Sequence, residues 1–330
     1  MSHDVAMREI GRSGIRASVV GLGTWAIGGW MWGGTDEAAA VDAIRAGIDE
    51  GITLIDTAPA YGQGLSEEIV GRAIAGQRDR VVISTKCGLV WHTTEGRHFF
   101  DVDGRPVHRF LGPASIEYEV EQSLRRLGTD YIDHYITHWQ DPTTPVDDTM
   151  DALVRLKEKG KIRSIGASNV SPEELDAYIA TGSLDAIQEE YSMARRRLEQ
   201  QLLPRCRAAG VSVLSYSSLA LGLLTGTIGP DRTFVGDDLR KGHPLFSPDS
   251  LARVARLMET VRPIAEAHAA TPAQVVIAWT AAQPGITFTL CGARNPAQAR
   301  ENAAAGRLRL GPDELAALTV AVDAELAAVS

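Results

Sequence analysis

The chain has 330 residues, 44% of them hydrophobic and 23% charged, enough to bury a sizeable core. Its net charge of −9 is the wrong sign for a nucleic-acid binder or for attraction to an anionic membrane. No apolar run approaches the roughly 20 residues that cross a bilayer, residues 1–10 lack the apolar segment of a secretory signal, and Cys87, Cys206 and Cys291 are too scattered for a disulfide framework or a zinc–cysteine site, so a reduced cytoplasm is the expected setting.

The first expected element is a hairpin, with strands at 8–10 and 15–17 around a turn at 11–14. From there one unit repeats: a short β-branched run, a polar or glycine turn, then an amphipathic helix. Strand 19–23 leads to helix 36–50, where Val41, Ile44 and Ile48 fall on one face through steps of three and four. Strands 53–57, 81–86 and 132–138 lead to helices 67–75, 115–127 and 148–159. Strands 162–167, 186–189 and 211–216 lead to helices 172–180, 199–209 and the pair 250–269 and 272–282. Strand 286–291 leads to helix 296–304, and 311–330 adds a helix outside the repeat. Ser171-Pro172-Glu173-Glu174 combines an N-cap serine, a first-turn proline and a capping-box glutamate; Thr271-Pro272-Ala273-Gln274 and Asn295-Pro296 repeat the logic.

Eight strands alternating with helices predict an α/β fold, a (β/α)8 TIM barrel with an N-terminal β-hairpin and an extra C-terminal helix, as one domain over 1–330. An open doubly wound sheet would need a third glycine three residues after Gly21-Leu22-Gly23 and a helix opening at once; neither is there. Residues 87–113 and 217–247 read as long loops, which inside compact domains are usually functional.

In such a barrel the active site lies at the C-terminal ends of the strands. The second strand ends in Asp56, followed closely by Tyr61; the third ends in Lys86 and the fourth in His138. Alternation puts Asp56, Lys86 and His138 on the inward face. A free phenol, with a pKa of about 10, holds its proton tightly at neutral pH, and a neighbouring ammonium lowers that value. A buried lysine calls for a counter-charge, which Asp56 supplies, and a histidine can bond and orient a carbonyl oxygen. Together these groups suit protonating the alkoxide that forms as hydride reaches a carbonyl carbon, and the hydride requires a cofactor. Singly, each has a plainer use: Asp56 as a turn cap, Tyr61 as a packing ring, Lys86 as a solvated cation, His138 as a rim residue. His134 points inward four residues below His138 and reads as a core histidine in need of a partner. Cys87 beside Lys86 reads as structural.

The run Asp56-Thr57-Ala58-Pro59-Ala60-Tyr61-Gly62 resembles the active-site signature of the aldo-keto reductase superfamily. So do Ser84-Thr85-Lys86, the segment from Asp133 to His138-Trp139, Gly166-Ala167-Ser168-Asn169, and Gly292-Ala293-Arg294 through Glu301-Asn302. The order and spacing hold from residue 11 to residue 302, and the 217–247 segment resembles the long-loop bacterial, potassium-channel-β-like and sugar-reductase branches. The resemblance implies a (β/α)8 barrel, NAD(P)H-dependent carbonyl reduction and the tetrad Asp56, Tyr61, Lys86 and His138. It places Ser168, Asn169 and Gln188 on the nicotinamide carboxamide, Tyr216 against the ring, and Ser217, Leu219, Gly222 and Leu224 along the pyrophosphate. Gly292, Arg294, Gln298 and Asn302 complete the cofactor set, with NADPH expected and NADH possible. Aligned on Glu301-Asn302, Gly292, Ala293 and Gln298 stand where the better-known branch has a lysine, a serine and an arginine. Arg294, ahead of the helix opened by Asn295-Pro296, is the expected 2′-phosphate ligand. The barrel's usual phosphate site, after the last two strands and at a helix N-terminus, lies in the same place.

Trp25, Trp91 and Trp139 are expected to wall the substrate mouth, within an aromatic set that includes Trp30, Trp32, Phe99 and Phe100. The 87–113 stretch carries His92, Arg97, His98, Arg105, His108 and Arg109. It reads equally as a lure for an anionic or hydroxyl-rich substrate and as a solvated loop. The expected activity is NADPH-dependent reduction of a sugar-like or bulky cyclic aldehyde or ketone, with Tyr61 as general acid and no metal. The expected partner is a small-molecule carbonyl substrate, with no nucleic acid and no membrane. The alternatives are a nucleotide-binding regulatory subunit with slow oxidoreductase activity and a metal-dependent sugar isomerase.

Overall fold

The computed structural model describes residues 4–229, 232–234 and 236–326. Eight short parallel strands close into a barrel in chain order: β1 Val20–Gly23, β2 Leu54–Asp56, β3 Val82–Cys87, β4 Ile132–Thr137, β5 Ile162–Ser168, β6 Ala186–Glu190, β7 Ser212–Tyr216 and β8 Phe288–Gly292. The crossover helices are α1 Glu37–Asp49, α2 Leu65–Ile74, α3 Pro113–Leu127, α4 Val146–Glu158, α5 Pro172–Ala180 and α6 Leu202–Ala209. After β7 come α7 Pro248–Ala267 and α8 Pro272–Ala282, after β8 comes α9 Pro296–Ala305, and α10 Pro312–Leu326 follows outside the repeat. The expected fold is the observed one.

The far end of the barrel is plugged. A hairpin of Met7–Glu9 and Arg16–Ser18 sends Ile10, Ile15 and Ala17 against Leu54, Val82, Ala186, Leu214, Phe288 and Leu290. The Gly11 N–H donates to Ser212 Oγ at 2.8 Å. Fully burying an isoleucine contributes about 1.5–3 kcal/mol, so the plug is anchored by packing, and the strand C-termini are left as the open end.

The helix starts follow their capping residues. Ser171 with Glu174 and Thr271 with Gln274 form reciprocal capping boxes, and Asn295 Oδ1 accepts the Gln298 N–H at 3.0 Å. The helix expected at 199–209 is instead a single turn, Arg197–Glu199, followed by α6. Pro204 then falls in the first helical turn, where its missing N–H is not needed. Of the segment expected as a terminal helix, residues 327–330 lie outside the described residues, as do residues 1–3 of the 1–10 stretch read above.

The 87–113 stretch is more ordered than a loop. It folds into a three-stranded antiparallel sheet of Leu89–Val90, Arg97–Val102 and Arg105–Arg109. The turn is Asp103-Gly104, at φ +50° and +75°, the dipeptide that two-residue hairpins prefer because both residues turn left-handed. A bulge at Phe99 breaks the alternation that marks a strand: the register jumps from His98 opposite His108 to Phe100 opposite Val107. Residues 237–239 of the 217–247 segment are tied to the loop after β1. Asp237 accepts the Met31 and Gly33 N–H groups at 3.2 and 3.1 Å, and Leu239 N–H reaches Met31 O at 3.1 Å. Among the described residues no helix is long and apolar enough to cross a membrane.

His134 has the partner its position demands. Its Nδ1 lies 2.8 Å from Ser164 Oγ, whose own proton goes to Asp133 O, so Nδ1–H is the donor and Nε2 is left as a buried acceptor with no partner. Burial, reinforced by Lys86, lowers its pKa to about 3, so the ring is neutral. A Cβ at Gly166 would lie 2.7 Å from that ring and 3.0 Å from Ile136. Gly166→Ala should therefore lower the unfolding free energy by about 1–3 kcal/mol, the usual cost of overpacking, and His134→Ala in the same chain should recover part of it. A urea midpoint unchanged by Gly166→Ala would contradict this packing.

Candidate active site

β2 and β3 pair with Asp56 opposite Ser84, which leaves Lys86 one inward position higher on β3. Lys86 is fully buried and Asp56 nearly so. The ammonium donates to Asp56 Oδ2 at 2.8 Å and Oδ1 at 3.0 Å, to Thr57 O at 2.9 Å and to Tyr61 Oη at 3.2 Å. Asp56 Oδ1 also accepts from Ser84 Oγ at 3.0 Å and from Gln188 Nε2, across the barrel, at 2.7 Å. Buried charges persist when they are paired and their remaining hydrogen-bonding capacity is met, and both conditions hold here. The geometry also orients the phenol. An ammonium has donors and no acceptor, so the Tyr61 oxygen receives from Lys86 and its own proton must point elsewhere. The His138 imidazole stands edge-on to the Tyr61 ring, centroids 5.7 Å apart.

The electrostatics differ from the sequence expectation in one respect. Burial, and then the Asp56 carboxylate, drives the Tyr61 phenol well above its ordinary value; the adjacent ammonium does not reverse this. Desolvation of the phenolate outweighs a cation whose field Asp56 already cancels. Burial lowers Lys86, against the pull of Asp56. Burial and then Lys86 push His138 well below the usual histidine range. The mouth thus presents a protonated tyrosine and a neutral imidazole.

Backbone contacts fix the tyrosine. Gly28, in the loop after β1, and Gly62 meet so closely that a Cβ at Gly62 would lie 2.3 Å from Gly28 O, and one at Gly28 2.6 Å from the Tyr61 carbonyl carbon. Ser66 Oγ donates to Thr24 Oγ1 at 2.7 Å, and Thr24 Oγ1 donates to Asp56 O at 2.9 Å. Glu119, which sequence reasoning missed, anchors the exit of β3: its carboxylate accepts the Gly88 N–H at 3.0 and 3.1 Å, and burial raises its pKa to about 8. The Cys87 thiol is buried and its pKa pushed up, chiefly by desolvation, as a structural cysteine's would be.

Ser168, Asn169, Gln188 and Tyr216 lie together beside the tetrad. Ser168 Oγ donates to Gln188 O at 2.6 Å; Asn169 Nδ2 donates to His138 O at 2.8 Å; Tyr216 Oη donates to Asn169 Oδ1 at 2.7 Å. Gln188 thus spends its amide nitrogen on Asp56. After β7, Ser217, Ala220 and Leu221 hold φ values of +55°, +48° and +58°, in a kinked turn that includes Leu219, Gly222 and Leu224. Left-handed non-glycine residues in such density mark strained, functional backbone. The Leu224 side chain is itself buried in the core, so that position can offer a ligand only backbone.

At the next strand end, Gly23 and Gly292 are paired, and a Cβ on either would meet nothing closer than 3.8 Å, which leaves bare, open backbone. Asn302 Nδ2 holds Gly292 O at 3.0 Å, and Gln298 Oε1 accepts the Arg294 N–H at 2.8 Å. The Arg294 guanidinium rests on Trp32 O and Gly34 O at 3.3 and 2.9 Å, and Trp32 Nε1 is buried with no acceptor. Open glycine backbone, an orphaned N–H and an arginine at the N-terminus of α9 fit an anionic, nucleotide-like group.

The aromatic residues divide into two sets. Trp25 packs edge-on to Trp32 at 5.4 Å and lies 6.4 Å from Tyr61. Trp139 lies 5.1 Å from Phe99, and Phe100 stacks on Trp30 at 5.5 Å. Trp91 is half-buried and lies in neither set. The Phe99 bulge lets two consecutive phenylalanines join one cluster with Trp30 and Trp139, which regular alternation forbids. Among the described residues, no three His, Cys, Asp or Glu side chains gather where they could hold a metal ion.

Comparison with known proteins finds a family and solved relatives that span nearly the whole chain. The model of the aldo/keto reductase family covers residues 19–323. The chain is 42% identical over 307 residues to an NADH-specific methylglyoxal reductase of Escherichia coli, covering 91% of this chain and 93% of that one. A glycerol dehydrogenase structure from Gluconobacter oxydans superposes with a TM-score of 0.88 at 38% identity, over 99% of this chain and 97% of the other. An aldo-keto reductase from Klebsiella pneumoniae in complex with NADPH gives 0.70 at 33% identity, over 92% and 90%.

Because its pKa is held well below 6.5, the His138 imidazole stays neutral as pH falls through that value. The pH profile of kcat/KM for turnover at this site should show no histidine inflection near 6.5, and a clear break there that disappears in His138→Gln would contradict a neutral ring.

Proposed function

The chain belongs to the aldo/keto reductase family, and on that premise we propose that it reduces an aldehyde or ketone to the alcohol, with Tyr61 as the general acid. The observation that carries the proposal is the 3.2 Å contact between Lys86 Nζ and Tyr61 Oη, with Asp56 bracketing the ammonium. The bound nicotinamide cofactor supplies the hydride. The protein's own groups do the rest. His138, neutral, donates a hydrogen bond to the substrate oxygen and orients it. Tyr61, whose lone pair is taken by Lys86, gives that oxygen its proton. The phenolate left behind is stabilised by the ammonium 3.2 Å away until solvent restores the proton. Fixed charges in a site screened from water act strongly on the charge that develops there.

We assign the cofactor-binding role to the strand-end groups described above. Tyr216 would face the nicotinamide, Ser168, Asn169 and the free Oε1 of Gln188 would hold its carboxamide, the strained turn after β7 would hold the pyrophosphate, and Arg294 with the N-terminus of α9 would receive the 2′-phosphate. NADPH is the cofactor of choice and NADH the second. Arg294 and an NADPH-bound relative support the first; a relative named as NADH-specific supports the second. The substrate is a sugar-like or ring-bearing carbonyl, received between Trp25 and the roof of Trp139 and Phe99. The relatives' names, a methylglyoxal reductase and a glycerol dehydrogenase, support a small oxygenated carbonyl–alcohol pair within that class.

A panel of aldehydes and ketones followed by loss of NADPH or NADH absorbance tests the activity. Tyr61→Phe should lower kcat by about 10²–10⁴-fold, the usual weight of one general acid, with the Kd of either cofactor unchanged. Turnover close to wild type in Tyr61→Phe would remove the tyrosine from the mechanism.

A further inference from the structure

The insert between β3 and α3 contains a charge arrangement that neither its folding nor the tetrad explains. Arg97 and Arg109 stand directly opposite each other on its paired strands, and like charges so placed weaken a sheet. Among the described residues neither guanidinium has a carboxylate partner or a hydrogen bond, whereas the neighbouring His98 has Asp101 at 3.1 Å. Arg97 is exposed; Arg109 is half-buried, and its Nε is buried with no acceptor. A desolvated donor left unpaired is costly, and in native structures such a group calls for a physical reason, a bound ion among them.

The position of Arg109 identifies what is missing. By alternation it shares a face with Val107, which packs into the aromatic cluster of Trp30, Phe99, Phe100 and Trp139. Its guanidinium carbon lies 5.2 Å from the Phe99 ring centre, and Phe99 touches Trp139, the residue after His138. The aromatic roof therefore runs from the residue next to His138 to a planar cation with no carboxylate partner. A guanidinium fork matches the paired oxygens of a carboxylate or phosphate.

We propose that Arg109, with Arg97 across the strand pair, is a subsite for an oxyanion borne by the carbonyl substrate, so that the chain selects aldehydes and ketones carrying a carboxylate or phosphate at the end remote from the carbonyl. This deepens, and rests on, the carbonyl reduction proposed above. The anion fills the unmet donors of Arg109 and relieves the repulsion between the two arginines, while the body of the substrate lies along Phe99 and Trp139.

The test compares 4-formylbenzoate and the longer 4-formylcinnamate with their neutral carboxamides, and glyceraldehyde 3-phosphate with glyceraldehyde. The first two pairs probe a carboxylate and the third a phosphate. Wild type should favour the anion of at least one pair by about tenfold or more in kcat/KM, mainly through KM, with the preference shrinking as salt rises. Arg109→Gln should raise KM for that anion about 10- to 100-fold and cost it at least tenfold more than its neutral partner; Arg109→Lys, which keeps the charge without the fork, should fall between. Arg97→Gln, at an exposed position, should give a smaller loss of the same sign and carries the test if the Arg109 variants do not fold. Equal losses for anion and neutral partner, or no wild-type preference in any pair, would overturn the subsite. Cinnamate and cinnamamide binding, followed by tryptophan fluorescence, separates the two claims. Arg109-dependent binding of cinnamate without turnover of any carbonyl would overturn the reductase assignment and leave the subsite standing. Turnover without anion preference would do the reverse.

Discussion

Lys86 has no exposed side-chain surface, and an ammonium so placed must be neutralised and fully bonded or it will lose its proton. Much of the architecture at the barrel mouth serves that demand. Asp56 comes from the neighbouring strand, Gln188 reaches across the barrel to hold its carboxylate, and Ser84 fills the same oxygen from below. Once the carboxylate and Thr57 O have taken their share of the ammonium, its remaining contact goes to the Tyr61 oxygen. The phenol is thereby turned so that its proton faces away from the lysine. Orientation and charge compensation arise from one arrangement, because both follow from the burial of a single cation.

That arrangement also changes how the lysine acts. A free ammonium beside a phenol would lower its pKa outright. Here Asp56 largely cancels the field of Lys86, burial dominates, and Tyr61 stays protonated. In the proposed reaction the lysine's service falls after proton transfer, when a phenolate stands beside it, and not before. A general acid that keeps its proton until a strongly basic oxygen forms avoids releasing it to water in the resting state.

The barrel and the tetrad were legible because their signals are local or topological. Eight β-branched runs alternating with amphipathic stretches allow few closures, and catalytic side chains at consecutive strand ends fall on one rim in any such barrel. Three-dimensional contacts were less legible. The Phe99 bulge erased the alternation that identifies a strand, although Asp103-Gly104 was a hairpin signal in plain view. Glu119 looks like an ordinary helical glutamate until Gly88, at φ +91°, brings its N–H over it. Gln188 carries an expected cofactor role, and its further bond to Asp56 spans 132 residues and leaves no trace in local pattern. The two arginines of the insert were visible as charge, yet their opposition across a strand pair depends on a register that the bulge resets.

The central claim is that Lys86 acts through Tyr61 and not independently on the substrate. A double-mutant cycle in kcat/KM for carbonyl reduction, built from Tyr61→Phe, Lys86→Met and the combined variant, measures that dependence directly. If the phenol is the lysine's only route to the reacting oxygen, the double variant should fall within about threefold of Tyr61→Phe alone. Losses that multiply in the double variant would show Lys86 working on the reaction by a separate path and would contradict the account.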